Sequence, residues 1–137
     1  MKTRLSALFG ILFILASSSG AGPLTGVKFM LDPGHGGQVG QIYAGNPGDP
    51  GAVGLNGLRE ADCVLAIGKR VRELLQAQGA TVYMTRDQDV YLTLGGRTSA
   101  ANALAVDRFI SIHQNANSNR TPNYTGSHVY TSASQNS

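Results

Sequence analysis

Runs of apolar residues divide the chain into three predicted strands and two predicted helices. Apolar residues at i, i+3, i+4 and i+7 spacing from Val64 to Leu75 predict an amphipathic helix, and the alanine-rich stretch Leu94–Val106 predicts a second one. Strands that alternate with helices are typical of βαβ units, so the pattern predicts an α/β fold, a parallel sheet with helices on both faces. The predicted strands, rich in β-branched, aromatic and other apolar residues, are Val27–Leu31, Ala80–Thr85 and Arg108–His113.

Local signals place the ends of these elements. Asn56 or Gly57 is expected to cap the start of the first helix, and Gly79 is expected to close its end. A polar loop over 115–125 leads to a fourth predicted strand over 127–131. Because no covering helix follows that strand, the C-terminal part of the domain is expected to be missing.

The first 22 residues have the order of a secretory signal peptide. A basic start is followed by the apolar run Ala7–Ala16 and by small residues that end at Gly22. The run is short for a membrane span, and an uncleaved N-terminal anchor is the alternative. We therefore expect residues 1–22 to be a signal peptide and residues 23–137 to form one exported domain, in the periplasm, the medium or the cell wall, with no stable membrane span after cleavage.

Charge and cysteine content narrow the class of protein. The net charge is +3, but two of the eleven basic residues, Lys2 and Arg4, lie in the predicted leader, so the mature chain would carry only +1. That balance gives no reason to expect nucleic acid as a partner. The single cysteine, Cys63, excludes an internal disulfide, so an exported domain must be held by its core or by a metal.

The loop after the first strand is the first candidate for chemistry. Residues 33–57 hold nine of the eighteen glycines and three of the five prolines, and long ordered loops are often functional. His35 lies in this loop just past the first strand, and His113 ends the third strand. Since ligands of open parallel sheets bind beyond the carboxyl ends of the strands, both histidines are expected at the same edge.

Glu60 is the third candidate residue at this edge. Extending the apolar stripe of the first helix backwards from Val71 through Ile67 and Val64 arrives at position 60, which places a carboxylate on the inward face. Burying an unpaired carboxylate is costly, so Glu60 needs a partner. Two histidines and a glutamate are a ligand set of catalytic zinc, which leaves a fourth position for water.

Each of these residues also has a purely structural interpretation. Glu60 could reach back to the helix start as in a capping box, and His113 could be a hydrogen-bonded histidine at a strand end. Cys63 could be a soft ligand but is better explained as a small buried residue. Arg86 and Arg97 are most simply explained as loop and helix-end ion pairs, with a substrate role as the alternative.

Motifs of several other enzyme classes are absent from the sequence. Val39 stands where a dinucleotide-binding G-x-G-x-x-G loop would need its third glycine. The sequence also contains no phosphate-loop lysine motif, no H-E-x-x-H motif and no G-x-S-x-G elbow. The histidine and glutamate group is therefore the main candidate for chemistry.

Six segments, in this order, resemble the motifs of the zinc-dependent N-acetylmuramoyl-L-alanine amidases of the type 3 family. The resemblance extends from about Val27 to Tyr130. The segments are Leu-Asp-Pro-Gly-His-Gly-Gly at 31–37, Pro-Gly-Ala-Val-Gly-Leu-Asn-Gly-Leu-Arg-Glu at 50–60, Met-Thr-Arg-Asp-Gln-Asp at 84–89, Leu-Gly-Gly-Arg-Thr at 94–98, Ala-Asn at 101–102 and Phe-Ile-Ser-Ile-His-Gln-Asn-Ala at 109–116.

The resemblance implies a phosphorylase/hydrolase-like amidase fold and a zinc ion held by His35, Glu60 and His113. It also implies an activity, cleavage of the amide between N-acetylmuramic acid and the first alanine of the stem peptide, with peptidoglycan as the partner. Residues 23–137 would then be an incomplete amidase catalytic domain. Two other functions stay open: a non-catalytic peptidoglycan-binding pseudo-enzyme and a zinc peptidase that acts within the stem peptide.

The sequence departs from the family pattern in two places. Extra residues over 39–47 follow the histidine motif and could reshape the substrate groove, but they are expected to leave the ligands alone. The resemblance further implies a general-base glutamate that would lie beyond residue 137. General acid–base help is typically worth ~10²–10⁴-fold. We therefore expect the chain to bind zinc better than it catalyses hydrolysis.

Overall fold

The computed structural model describes residues 21–38, 42–43, 46–116 and 129. The predicted leader over 1–22 and the fourth predicted strand over 127–131 therefore fall almost wholly outside the described residues. Most of the polar loop predicted over 115–125 also falls outside them.

The three predicted strands and two predicted helices that lie within the described residues are present, with small shifts at their ends. The first helix is 18 residues long and the second is 10 residues long. Within the glycine-rich loop, two short strands that the sequence analysis did not predict pair in antiparallel fashion. In chain order the elements are β1 (Lys28–Pro33), β2 (Ile42–Tyr43), β3 (Asn46–Pro47), α1 (Glu60–Ala77), β4 (Thr81–Met84), α2 (Leu94–Ala103) and β5 (Arg108–Ile112).

The main sheet is parallel, in the order β4-β1-β5, which places β1 at its centre. Side chains on one face of β1, including Phe29 and Leu31, pack with Val71 and Leu75 of α1. On the opposite face, Asp32 contacts Arg97 of α2. Because successive side chains of a strand point to opposite faces, the two helices cover opposite faces of the sheet, which confirms the predicted fold class.

The start of α1 differs from the prediction. Asn56 does not cap the helix, because its side chain accepts a hydrogen bond from Leu58 N–H inside the preceding turn. The first helical N–H, that of Glu60, instead donates to the carbonyl of Ala52 at 2.7 Å. The backbone of the loop therefore satisfies this helix end, a role that capping side chains usually fill. The predicted end is confirmed, since Gly79 has the positive φ of 90° that closes many helices.

Gly68 allows α1 to lie close to the sheet. A Cβ atom at this position would be only 2.9 Å from Pro33 Cγ at the end of β1 and 3.3 Å from the Met84 methyl group. The absence of a side chain therefore brings the first turns of α1 against the carboxyl end of β1. Neither described helix is long and apolar enough to span a membrane.

Candidate metal centre

His35, Glu60 and His113 meet at the carboxyl edge of the sheet. His35 Nε2 is 3.2 Å from Glu60 Oε1, and His113 Nδ1 is 3.1 Å from the same oxygen. The two ring nitrogens are themselves 3.2 Å apart. Among the described residues, this is the group of histidine, cysteine and carboxylate side chains that could hold a metal ion. The expected convergence at one sheet edge is therefore present.

The backbone at His35 adopts a conformation that is rare for a residue with a side chain. Its φ is 58°, in the left-handed region, and the two glycines that follow also have positive φ values. Such a conformation persists only when the surroundings impose it. Arg97 provides part of that constraint, because its guanidinium donates to the His35 carbonyl at 2.7 Å. This turn takes the chain out of β1 and places the imidazole at the sheet edge.

Glu60 is the most buried member of the group, with only 4% of its side chain exposed. It does not form a capping box: Oε2 accepts from Ala52 N–H at 2.9 Å and Oε1 accepts from Gln114 N–H at 2.7 Å. Burial acts to raise the pKa of Glu60. These two hydrogen bonds and the neighbouring His35 and His113 outweigh it, so the pKa lies below its usual range. The carboxylate is therefore held ionised, as a metal ligand must be.

His113 lies directly after β5, and its ring contacts both His35 and Glu60. Its ring stands edge-on to that of His35, with centroids 4.8 Å apart and planes at 85°. Half of the His113 side chain remains exposed. Its ring packs against Gly34, where a Cβ atom would lie 2.1 Å from His113 Cε1. The glycine before His35 therefore leaves the space that the His113 ring occupies.

Gly34 supplies a steric test of this arrangement. We expect Gly34→Ala to push the His113 ring out of the group and to weaken metal binding, because the added methyl group and the ring cannot share this space. Titration with zinc measures the loss. Gly95→Ala is the matched control, since a Cβ atom there meets open space. Equal zinc affinities for the two variants would contradict the steric role of Gly34.

Arg86 and Arg97, interpreted from the sequence as loop and helix-end ion pairs, are both buried close to the group. They are 3% and 4% exposed. Arg86 donates to the carbonyls of Pro33, Gly34 and Ala61, at 2.7–2.9 Å. The guanidinium therefore links the end of β1 to the first turn of α1, which explains why a charged side chain is buried here.

Arg97 joins the same turn from the other face of the sheet. Its guanidinium donates to Asp32 Oδ1 at 2.7 Å and to the Pro33 carbonyl at 2.9 Å. Asp32 also accepts hydrogen bonds from the hydroxyls of Thr85 and Ser111. Burial acts to raise the pKa of Asp32, but these hydrogen bonds and the Arg97 charge outweigh it and lower the pKa. Sequence reasoning missed this pair, although an aspartate inside a buried strand signals a required partner.

Asp49 is a further polar residue at the site that sequence reasoning missed. Its Oδ2 lies 2.8 Å from His35 Nδ1. Cys63, the alternative soft ligand, is a free and partly buried cysteine outside the His35, Glu60 and His113 group.

An open cleft of about 300 Å³ adjoins the group. Its lining includes His35, His113 and Asp49 together with Tyr91 and Leu92. Two members of the group, His35 and His113, therefore face this open cleft.

Comparison with known proteins agrees with this geometry. A family model described as N-acetylmuramoyl-L-alanine amidase matches residues 29–137. The chain is 41% identical over 101 residues to the N-acetylmuramoyl-L-alanine amidase AmiC of Neisseria meningitidis, an alignment that covers 74% of this chain and 21% of that protein. It is 40% identical over 108 residues to LytC of Bacillus subtilis, named as the same kind of amidase, covering 79% of this chain and 19% of that protein.

A solved structure shows the same partial match. The N-acetylmuramoyl-L-alanine amidase AmiC2 of Nostoc punctiforme aligns with a TM-score of 0.59 and 40% identity. The alignment covers 69% of this chain and 47% of that chain. The chain thus spans about a fifth of the length of these curated relatives and about half of this solved structure.

Proposed function

Because this chain belongs to the N-acetylmuramoyl-L-alanine amidase family, we propose that it is a zinc-dependent hydrolase of peptidoglycan. The bond cleaved is the amide that joins the lactyl group of N-acetylmuramic acid to L-alanine. The proposed zinc ligands are His35, Glu60 and His113. The observation that carries the proposal is the convergence of these three side chains at the open edge of the sheet.

The spacing of the three ligand atoms supports zinc as the ion. Zinc bonds of about 2.0–2.2 Å in a tetrahedron separate neighbouring ligand atoms by roughly 3.3–3.6 Å. The separations among His35 Nε2, Glu60 Oε1 and His113 Nδ1 are 3.1–3.2 Å. The observed separations would have to widen by only a few tenths of an ångström to match this geometry. Two imidazoles and one carboxylate also match a donor set of catalytic zinc sites.

The described residues prepare the site for amide hydrolysis. Zinc, when bound, supplies Lewis-acid chemistry that polarises a carbonyl and lowers the pKa of water. Backbone N–H groups hold the Glu60 carboxylate ionised. The cleft leaves the group open to solvent and substrate. The chain thereby brings two imidazoles and one carboxylate together before the ion arrives.

Neither of the two carboxylates that line the cleft besides the ligand group is free to act as general base. Asp32 is paired with Arg97, and Asp49 is engaged with His35. A general base is typically worth ~10²–10⁴-fold in rate. Because the described residues offer no free base in this cleft, we expect the chain to bind zinc more readily than it hydrolyses peptidoglycan.

We further propose that residues 1–22 are a secretory signal peptide and that residues 23–137 belong to the amidase catalytic domain. The support is the order of basic, apolar and small residues at the N-terminus. Peptidoglycan as the substrate requires such export, to the periplasm or the cell wall.

Product analysis tests the proposed reaction. Purified peptidoglycan is incubated with the zinc-loaded chain, and new ends are identified by mass spectrometry. We expect free lactyl carboxyl groups together with new alanine amino termini, both absent after chelation and from the His113→Ala variant. A chain that holds zinc stoichiometrically and yields neither end would contradict the amidase activity. Cleavage between stem residues would indicate a peptidase instead.

A further inference from the structure

Asp49 lies where the glycine-rich loop returns to His35. Gly36 N–H donates to the Asp49 carbonyl at 2.8 Å, and Asp49 N–H donates to the Gly36 carbonyl at 3.0 Å. This pair of backbone hydrogen bonds closes the base of the intervening loop. Gly36 and Asp49, which flank the extra residues over 39–47 in the sequence, are therefore held side by side next to His35.

The side chain of Asp49 is held at both of its oxygens. Oδ1 accepts a hydrogen bond from Gly51 N–H at 3.0 Å, and Oδ2 lies 2.8 Å from His35 Nδ1. An ionised carboxylate can only accept hydrogen bonds, so Nδ1 must be the donor. In the neutral imidazole the lone pair is then on Nε2, the atom that faces Glu60 and His113.

We propose that Asp49 is a positioning residue that holds His35 in the tautomer and orientation in which Nε2 can bind the metal. Carboxylates that orient metal-binding histidines in this way typically contribute 10–100-fold to metal affinity. The inference rests on the metal site proposed above. The Asp49 side chain is 46% exposed, so its effect comes from the direction of one hydrogen bond rather than from a buried charge.

Asp49→Asn tests the proposal with almost no change of shape. If the new amide oxygen keeps the bond from Gly51 N–H, its NH₂ group faces His35 Nδ1 and can only donate. The imidazole proton must then move to Nε2, where it blocks metal binding. If the amide turns over, its NH₂ group faces Gly51 N–H, and two donors oppose each other. The first arrangement keeps both hydrogen bonds only in the wrong tautomer, and the second loses the bond from Gly51 N–H.

Asp89→Asn is the matched control. Asp89 also fastens the glycine-rich loop, because it accepts from Gly37 N–H at 2.8 Å and pairs with Arg59 at 2.8 Å. It makes no contact with the imidazole of His35 among the contacts described. A general loosening of the loop would therefore affect both variants, whereas loss of the proper tautomer would affect only Asp49→Asn.

Two measurements test whether Asp49 sets the tautomer of His35. Nitrogen-15 NMR of the metal-free chain reports the His35 tautomer, and zinc titration with a competing chelator reports affinity. We expect Nδ1–H in the wild type and in Asp89→Asn, and Nε2–H with roughly 10–100-fold weaker zinc binding in Asp49→Asn. An Nε2–H tautomer in the wild type, or equal losses in both variants, would overturn the role of Asp49. A wild type with Nδ1–H that binds no zinc would instead overturn the proposed metal site.

Discussion

His113→Ala is expected to abolish stoichiometric zinc binding, with a fall in affinity of more than roughly 100-fold, the upper end of what loss of an outer partner costs. The variant removes one of the three proposed ligands. Half of the His113 side chain is exposed, and Glu60 keeps its two backbone hydrogen-bond donors without it. The fold should therefore survive, so that the loss reports on the metal site. Competition titration and metal analysis of the purified chain measure the effect.

Thermal unfolding gives a second measure of the same loss. A ligand that binds only the folded state at 100 times its Kd stabilises that state by about 2.7 kcal/mol. Added zinc should therefore raise the Tm of the wild type and leave that of His113→Ala unchanged. Cys63→Ser is the matched control, because Cys63 lies one helical turn from Glu60 but outside the group. Full zinc binding by His113→Ala, or its loss in Cys63→Ser, would refute the proposed ligand set.

Arg97→Ala is expected to lower the free energy of unfolding by about 3–5 kcal/mol, the usual cost of removing one partner from a buried ion pair. The substitution leaves the buried Asp32 carboxylate without its counter-ion. It also removes the donors to the Pro33 and His35 carbonyls. Since most domains are stable by only about 5–15 kcal/mol, the loss should be large. Urea denaturation monitored by circular dichroism measures it.

Arg70→Ala is the control for the loss of a positive charge. Arg70 pairs with Glu73 on the exposed face of α1, where the two side chains are 69% and 62% exposed. Exposed pairs of this kind contribute about 0–1 kcal/mol. Arg97→Lys should fall between the two, because it keeps the charge but loses the planar fork of donors. An Arg97→Ala chain as stable as Arg70→Ala would contradict a structural role for the buried pair.

The group of His35, Glu60 and His113 could be predicted from local patterns because each member has a local signal. His35 and His113 follow predicted strands, and the helical period places Glu60 on the inward face. The rule that parallel strands end at one edge then brings the three together. Membership of the amidase family, predicted from six short motifs, is confirmed by the match over residues 29–137.

The residues that hold this group in place could not be predicted in the same way. Arg86 was interpreted as part of a loop ion pair, whereas it is buried and donates to main-chain carbonyls. Arg97 does form an ion pair, but with the buried Asp32, and it also donates to the His35 carbonyl. Asp49 was not identified at all. A hydrogen bond to a main-chain carbonyl leaves no residue-type signal at the acceptor, so periodicity and motif spacing do not reveal it.

The sequence by itself determined the α/β order of elements, the parallel sheet and the meeting of two histidines and a glutamate at its edge, because those follow from apolar periodicity and strand ends. Only the tertiary structure decided the strand order β4-β1-β5, the Asp32–Arg97 pair and the contact of Asp49 with His35. The physical reason is that these depend on the close packing of distant segments. Asp32 and Arg97 lie 65 positions apart in the chain, yet their side chains are joined at 2.7 Å.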